Sequence, residues 1–216
     1  MSDQTNDGKA IFLKDAYALE NTEDSLELYD KWAENYDETF AKANDYNTPD
    51  LIADLYAEHT RDKSALVLDI GAGTGLVAEG LARRGISHVE ALDISEKMLA
   101  VARRKGVYQR FIIADLNQRL EIPDATYAGF TCTGTFTHGH VGPDALDELV
   151  RIGRNGALYV LGIKAAIYES AGFAAKFKSL APQLAEFRIV EKKGYGENAD
   201  KALQASTTAV AVFRKI

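Results

Sequence analysis

The sequence predicts an α/β protein: a doubly wound, three-layer αβα sheet, mostly parallel, with an antiparallel strand near one edge. Three observations carry this. From residue 65 onward, short apolar runs alternate with amphipathic segments of helical length. Glycine or a capping residue punctuates each junction. The chain then finishes on two consecutive strand-like runs with no helix between them, which places an antiparallel pair at one side of the sheet. The 216 residues, 46% apolar and 26% charged, suffice for one sizeable core.

The elements follow in order. Residues 1–25 are polar apart from "AIFLKDAYAL", read as a loose tail with a short helix. Residues 26–44 contain "LYDKWAENYDETF" and read as one helix, because Tyr29, Trp32, Tyr36 and Phe40 recur three and four apart and share a face. In "NTPDLIADLYAEHT", Thr48 is placed to cap, Pro49 suits the first helical position, and Leu51, Ile52, Leu55 and Tyr56 form the buried stripe. "ALVLDI" is a strand and "LVAEGLARRG" a helix stopped at Gly85. "HVEALDI" is a strand, and "SEKMLAVARRKG" a helix with Ser95 as cap and Gly106 as stop. "YQRFIIADL" and "ATYAGFTCTG" are strands, "PDALDELVRIG" a helix, "GALYVLGIK" a strand, and "IYESAGFAAKFKSLAPQL" helical. "EFRIVEKKG" and "TTAVAVFRKI" close the sheet. The division is thus an N-terminal tail and covering helix over 1–44 and one domain over 45–216.

Composition excludes several classes. A net charge of −7 and the absence of a basic patch argue against bulk nucleic acid. Arg83, Arg84, Arg103, Arg104 and Lys105 sit at predicted helix ends, where cations meet the negative end of the dipole, and read as solvated. A single cysteine, Cys132, cannot form an intramolecular disulfide and fits a reducing compartment. His59, His88, His138 and His140 lack metal-ligand spacing, so no metal is expected. The first residues have no secretory pattern, and no apolar run approaches membrane-spanning length. A soluble, cytoplasmic protein is expected, acting on a small molecule; its oligomeric state is not legible.

"VLDIGAGTGLVAEGL" carries most of the chemistry. Gly71, Gly73 and Gly75 lie between a strand and a helix, where glycine permits a tight turn and close approach of backbone to ligand. Asp93 ends the next strand and Asp115 the one after. Ligands of open α/β sheets sit outside the carboxyl ends of strands, so Asp69, the glycines, Asp93 and Asp115 should converge on one Rossmann-like crevice. Asp93 follows the turn by about twenty residues, the offset of an acid that accepts from ribose hydroxyls. The competing reading makes Asp93 and Asp115 caps or turn residues. Leu76 stands where a dinucleotide turn has its third glycine, no phosphate-loop lysine follows, and Asp69 beside the turn suits a cationic amine better than a pyrophosphate.

"VLDIGAGTG", "ALDIS" and "IIADL", in that order, resemble the first three motifs of class I, seven-strand S-adenosylmethionine-dependent methyltransferases. "YDKWAENYD", followed much later by "GHVGPDALDELVRI", is similar to the narrower group named for the Williams–Beuren syndrome chromosome region. The resemblance implies S-adenosylmethionine as cofactor. Gly71, Ala72 and Gly73 would pass under its amino-acid part with Asp69 close by. Asp93 would hold the ribose hydroxyls, with Ile94 and Met98 beside the adenine. Asp115 would accept from the adenine amine, Leu116 would supply backbone contacts, and Cys132 and Thr133 would lie near the methionine end. Two departures, Ala128 where the family often has Asp and "GRNGA" where it often has a proline, leave the acceptor side less determined.

The same resemblance implies an N-terminal cover over the crevice. Tyr29, Trp32 and Tyr36 either form it, with a tyrosine hydroxyl reaching the cofactor carboxylate, or pack as an ordinary aromatic helix face. His138 and His140, in "TGTFTHGHVGP" after the fourth strand, are the candidate general bases, with Tyr36 a further catalytic candidate; surface histidines are the alternative. Phe136 suits either substrate or core. Cys132 has no legible base partner as a nucleophile. "KKGYGENADK", with Tyr195, reads as a solvated hairpin loop that could rim the substrate mouth. Two other functions compete with methyl transfer: a nicotinamide-dependent oxidoreductase, and a non-catalytic cofactor-binding module.

Overall fold

Among the described residues, seven strands form one sheet; numbered in chain order, they lie across it as three, two, one, four, five, seven and six. A computed structural model describes residues 22–138 and 141–216; the apolar stretch 10–19 and His140 lie outside the described residues. The strands are β1 (Val67–Ile70), β2 (Val89–Asp93), β3 (Arg110–Ile113), β4 (Tyr127–Phe136), β5 (Gly153–Lys164), β6 (Leu184–Lys193) and β7 (Thr207–Lys215). The first five pair in parallel, and β7 runs antiparallel between β5 and β6. The expected doubly wound sheet with its antiparallel addition is therefore present.

Eight helices flank the sheet among the described residues: α1 (Thr22–Trp32), α2 (Thr48–His59), α3 (Leu76–Arg83), α4 (Glu96–Lys105), α5 (Ala145–Ile152), the single-turn α6 (Ala165–Tyr168), α7 (Phe173–Leu180) and the single-turn α8 (Lys201–Gln204). Alternation along the strands sorts them into layers. On β5, Leu158 and Val160 join the core under α2, α3 and α4, whereas Tyr159, Leu161 and Ile163 join the core under α5 and α7. The Tyr159 ring stacks between Phe130 and Phe213, with centroids 4.4 Å away on each side. Its hydroxyl donates to Leu149 O at 3.0 Å, so this buried phenol is satisfied.

Ser95 caps α4 as expected, its Oγ accepting from Met98 N at 3.1 Å, and Gly106 stops the helix with φ +68°. Three elements differ from expectation. Residues 26–44 are not one helix. After α1 comes a 3₁₀ turn (Ala33–Asn35) and then a π turn (Asp37–Lys42). Eight residues of regular helix rotate Phe40 about 80° off the face of Trp32. The wider turn reduces that rotation, and the two rings meet at 5.1 Å. Residues 167–184 break at Gly172, whose φ of +88° ends the first turn. Thr48 does not cap α2; it is the first residue of the helix, and its hydroxyl donates to Gly194 O at 3.2 Å.

Gly129 on β4 allows a close approach of α2 to the sheet. A Cβ there would lie 1.8 Å from Tyr56 Oη, and Tyr56 is only 1% exposed. Gly129→Ala should therefore destabilise the fold by about 1–3 kcal/mol, read as a lower urea midpoint at unchanged slope.

Candidate active site

A crevice opens at the carboxyl ends of β1, β2 and β4, with a void of about 1050 Å³ counted out to its mouth. Its floor is the turn between β1 and α3. Gly71, Gly73 and Gly75 take φ of +60°, +54° and +94°, values that a side chain strains. At Gly71 a Cβ would also fall 1.9 Å from Thr135 Oγ1. At Gly73 it would meet only Gly71 O at 4.0 Å, so glycine here leaves the backbone open to a ligand.

Asp93 fixes this turn from the next strand. Its Oδ2 accepts from Gly73 N at 2.8 Å and its Oδ1 from Ser95 N at 2.8 Å. Burial pushes the carboxyl above its ordinary value, against the pull of these backbone donors. Each oxygen keeps further acceptor capacity for a ligand hydroxyl. Ile94, Met98, Ala114, Asp115, Leu116 and Asn117 continue the wall. Asp115 Oδ1 accepts from Asn117 N at 2.9 Å, which closes the turn after β3. Asp93 and Asp115 are thus turn residues and crevice residues at once.

Three expected residues, Asp69, Cys132 and Trp32, do not line the crevice. Asp69 lies beneath the glycine turn, 1% exposed, where Tyr108 Oη donates to Oδ2 at 2.6 Å and Thr131 Oγ1 to Oδ1 at 2.8 Å. On β1 it alternates with Leu68 and Ile70 and so faces the α3–α4 layer. Burial pushes its pKa up to about 7, with the two hydroxyl donors opposing the shift. Cys132 is buried in the opposite core, its thiol pushed up to about 12 by burial. That makes it neither a nucleophile nor a wall of the site. Phe136 is core as well, edge-on to Phe173. Thr133, one residue beyond Cys132, does line the crevice.

The N-terminal elements close one side. Leu26, Tyr29 and Tyr36 line the crevice. Burial raises the Tyr36 phenol well above its ordinary value, with the neighbouring Tyr46, Tyr29, Tyr195 and Asp37 adding to it, so Tyr36 is a neutral hydrogen-bonding group at physiological pH. Three acids on this segment anchor it. Asp30 accepts from Ser95 Oγ at 2.6 Å. Glu34 pairs with Arg104 at 2.7 Å. Asp37 accepts from Thr74 Oγ1 at 2.5 Å and pairs with Lys105 at 2.6 Å. Of the cations expected to be solvated at helix ends, Arg83, Arg103 and Arg104 are exposed, and they also have partners: Arg83 and Arg84 bind Asp50 and Asp54 on α2, and Arg103 lies 4.8 Å over the Phe111 ring.

A second chamber adjoins the first and shares Tyr29, Tyr36, Tyr46, Thr133 and Gly134 with it. Trp32 belongs to this chamber rather than to the first crevice; it is 4% exposed, and its indole N–H donates to Thr39 Oγ1 at 3.0 Å. Thr137, the exposed His138 and Lys164 at the end of β5 line it too. So does Tyr195, because the loop after β6 is bound rather than solvated. Asn47 N donates to Gly194 O at 2.9 Å, Gly196 N to Asp45 O at 2.9 Å, and the Tyr46 and Tyr195 rings meet at 5.2 Å. Tyr46, Tyr108 and Lys164 carry no motif spacing in the sequence and meet only through the fold; Thr74 sits inside the glycine motif, but its bond to Asp37 is set by tertiary packing. Among the described residues no cluster is arranged to hold a metal, and no helix is long and apolar enough to cross a membrane.

Residues 67–156 match the family model described as a methyltransferase domain. The human methyltransferase-like protein 27 is 34% identical over 137 residues, covering 62% of this chain and 56% of that protein. The chain thus spans about half the length of that relative. The TehB-like SAM-dependent methyltransferase of Corynebacterium glutamicum superposes with a TM-score of 0.61 at 20% identity, covering 87% of this chain and 98% of that one. The 4+2 cyclase SpnF superposes with a TM-score of 0.68 at 15% identity, covering 91% and 97%. Both structural likenesses are likenesses of fold.

Asp69 gives the pH response a definite sign. Its folded pKa of about 7 lies above the ordinary 3.8, so the native state binds more protons than the unfolded one. The stability this gives is present below about 3.8 and is lost as pH rises towards 7. Asp69→Asn removes that titration. The urea midpoint of the wild type should therefore fall relative to Asp69→Asn between pH 4 and pH 7.5; parallel midpoints would show that Asp69 titrates normally.

Proposed function

We propose that the protein is a class I S-adenosylmethionine-dependent methyltransferase acting on a small acceptor in the cytoplasm, with its narrower kinship to the Williams–Beuren group. The observation that carries the reading is the glycine turn locked to Asp93, with an open cradle over Gly73. It is supported by the methyltransferase-domain match over residues 67–156, which holds the turn, Asp93 and Asp115.

The residues present fit the cofactor. The Gly71–Gly73 backbone offers a surface for its amino-acid part, and Asp93 offers acceptor oxygens for ribose hydroxyls. Ile94, Met98 and Leu116 make an apolar slot for a flat ring, with Asp115 at its edge. A nicotinamide dinucleotide is not favoured: Leu76 replaces the third glycine and lines the crevice. When bound, S-adenosylmethionine would supply a methyl carbon activated by its sulfonium for attack by an acceptor lone pair.

The chain contributes position and electrostatics. Tyr29 and Tyr36 face the crevice with their rings 6.4 Å apart, and an aromatic face near a sulfonium is worth about 1 kcal/mol. Tyr36, protonated at neutral pH, donates a hydrogen bond rather than removing a proton. His138, exposed at the second chamber, is placed to pass an acceptor proton to solvent. The net charge of −7 favours a small acceptor over bulk nucleic acid.

Calorimetric titration with S-adenosylmethionine and S-adenosylhomocysteine tests the reading, and saturable binding of both is expected. Asp93→Ala should weaken both by roughly 10- to 100-fold, the loss of a charged hydrogen-bond acceptor, with a thermal melt confirming that the variant folds. No saturable heat from the folded wild type would overturn the assignment.

A further inference from the structure

The stretch "LYDKWAENYDETF" contains Tyr-Asp twice, as Tyr29 with Asp30 and Tyr36 with Asp37. About two helical turns separate the copies, so each repeats the other's direction. Tyr29 and Tyr36 line the crevice, whereas Asp30 and Asp37 do not, and neither does Lys105. The two acids stand behind the wall and bind buried hydroxyls of it. Asp30 Oδ1 accepts from Ser95 Oγ at 2.6 Å, and Asp37 Oδ1 accepts from Thr74 Oγ1 at 2.5 Å.

Those hydroxyls belong to the residues around the two donors that orient Asp93. Ser95 N–H donates to Asp93 Oδ1, and Ser95 Oγ is the atom held by Asp30. Gly73 N–H donates to Asp93 Oδ2, and the next residue, Thr74, is held by Asp37. Each oxygen of Asp93 is thus fixed by a backbone group that one acid of the cover steadies. Cations complete the arrangement: Lys97 Nζ lies 3.4 Å from Asp30, and Lys105 Nζ lies 2.6 Å from Asp37 and 2.7 Å from Glu79 on α3. With hydroxyls and ammonium groups between them, three carboxylates gather where like charges alone would repel. Glu34, between the two acids in sequence, makes a different contact: an exposed pair with Arg104 in the last turn of α4.

We infer that Asp30 and Asp37 are positioning residues for the cofactor: acting through Ser95 and Thr74, they hold both backbone donors that aim Asp93, so that docking of the cover and affinity for the cofactor rise and fall together. This rests on the methyltransferase reading above and adds residues that set cofactor affinity from outside the crevice. The coupling is reciprocal, so a bound cofactor steadies the cover by the factor that the docked cover adds to binding.

The test combines calorimetric titration with S-adenosylhomocysteine and amide hydrogen exchange at Gly73 in the ligand-free protein, with thermal melts to show that each variant folds. Asp30→Ala and Asp37→Ala should each weaken binding roughly fivefold or more. Asp37→Asn keeps an acceptor for Thr74 and should recover most of that loss. Glu34→Ala removes only an exposed pair from the same segment and should stay within about twofold of the wild type. In a Thr74→Val background, Asp37→Ala should cost nothing further, because the hydroxyl through which it acts is gone. Without ligand, Asp37→Ala should speed exchange of the Gly73 amide, which reports on its bond to Asp93. Wild-type affinity in folded Asp30→Ala and Asp37→Ala, an equal loss from Glu34→Ala, a further loss in the Thr74→Val background, or wild-type exchange at Gly73 would each overturn the inference. Absence of S-adenosylhomocysteine binding by the wild type would strike the methyltransferase reading instead, and the ligand-free exchange rate would still decide whether the cover steadies the Gly73–Asp93 bond.

Discussion

The hydrogen bond from Gly73 N–H to Asp93 is the constraint on which the site depends. It joins the turn after β1 to the end of β2, two segments twenty residues apart in the chain and neighbours in the sheet. A carboxylate that accepts two backbone donors is held in one orientation without a cation beside it. Gly73 makes this bond from a left-handed conformation, and the lack of a side chain there leaves the backbone uncovered where a ligand approaches. Positive φ, the open cradle and an oriented acid are three consequences of one local arrangement.

Asp69 supports this arrangement from below. Two hydroxyl donors, from Tyr108 after α4 and Thr131 on β4, hold a carboxyl in a place where its charged form is penalised by burial. The acid is therefore a structural pin between strands. The cover is pinned differently: Asp30, Glu34 and Asp37 sit on one side of a partly unwound helical segment and meet a hydroxyl and cations at α4 and the glycine turn. Of these pairs, Asp37 with Lys105 and Thr74 is the least exposed and reaches the turn itself. The cover is thereby coupled to the crevice floor through the same few residues that shape it.

The aromatic chamber grows out of this geometry. Trp32, Tyr36 and Phe40 come from the cover, Tyr46 from the segment after it, and Tyr195 from a loop near the other end of the chain. The π turn keeps Phe40 on the face of Trp32, and the bonds from Asn47 and Thr48 to Gly194 carry Tyr195 to the same place. Lys164 arrives from β5. A chamber assembled from six separate segments bears no single sequence signature, because beyond the spacing of Trp32, Tyr36 and Phe40 its groups come from stretches far apart in the chain.

What the sequence determined by itself is local and periodic. Strand runs, helix faces, the Ser95 cap, the Gly106 stop and the glycine turn all follow from steric limits on nearby residues, and so the fold class and the positions of Asp93 and Asp115 at strand ends were legible. Tertiary structure decided which way each side chain points and what it meets. Asp69 and Cys132 belong to legible strands, yet the pleat sends Asp69 under the turn and Cys132 into the opposite core. Lys105 and Arg104 have the look of solvated helix ends, and the docked cover pairs them. The loop holding Tyr195 reads as a solvated hairpin, and backbone bonds from Asn47 to Gly194 and from Gly196 to Asp45 draw it in. Short-range sterics act over three or four residues, which a sequence displays directly; charge pairing and ring packing act through space, between residues that only the closed fold brings within reach.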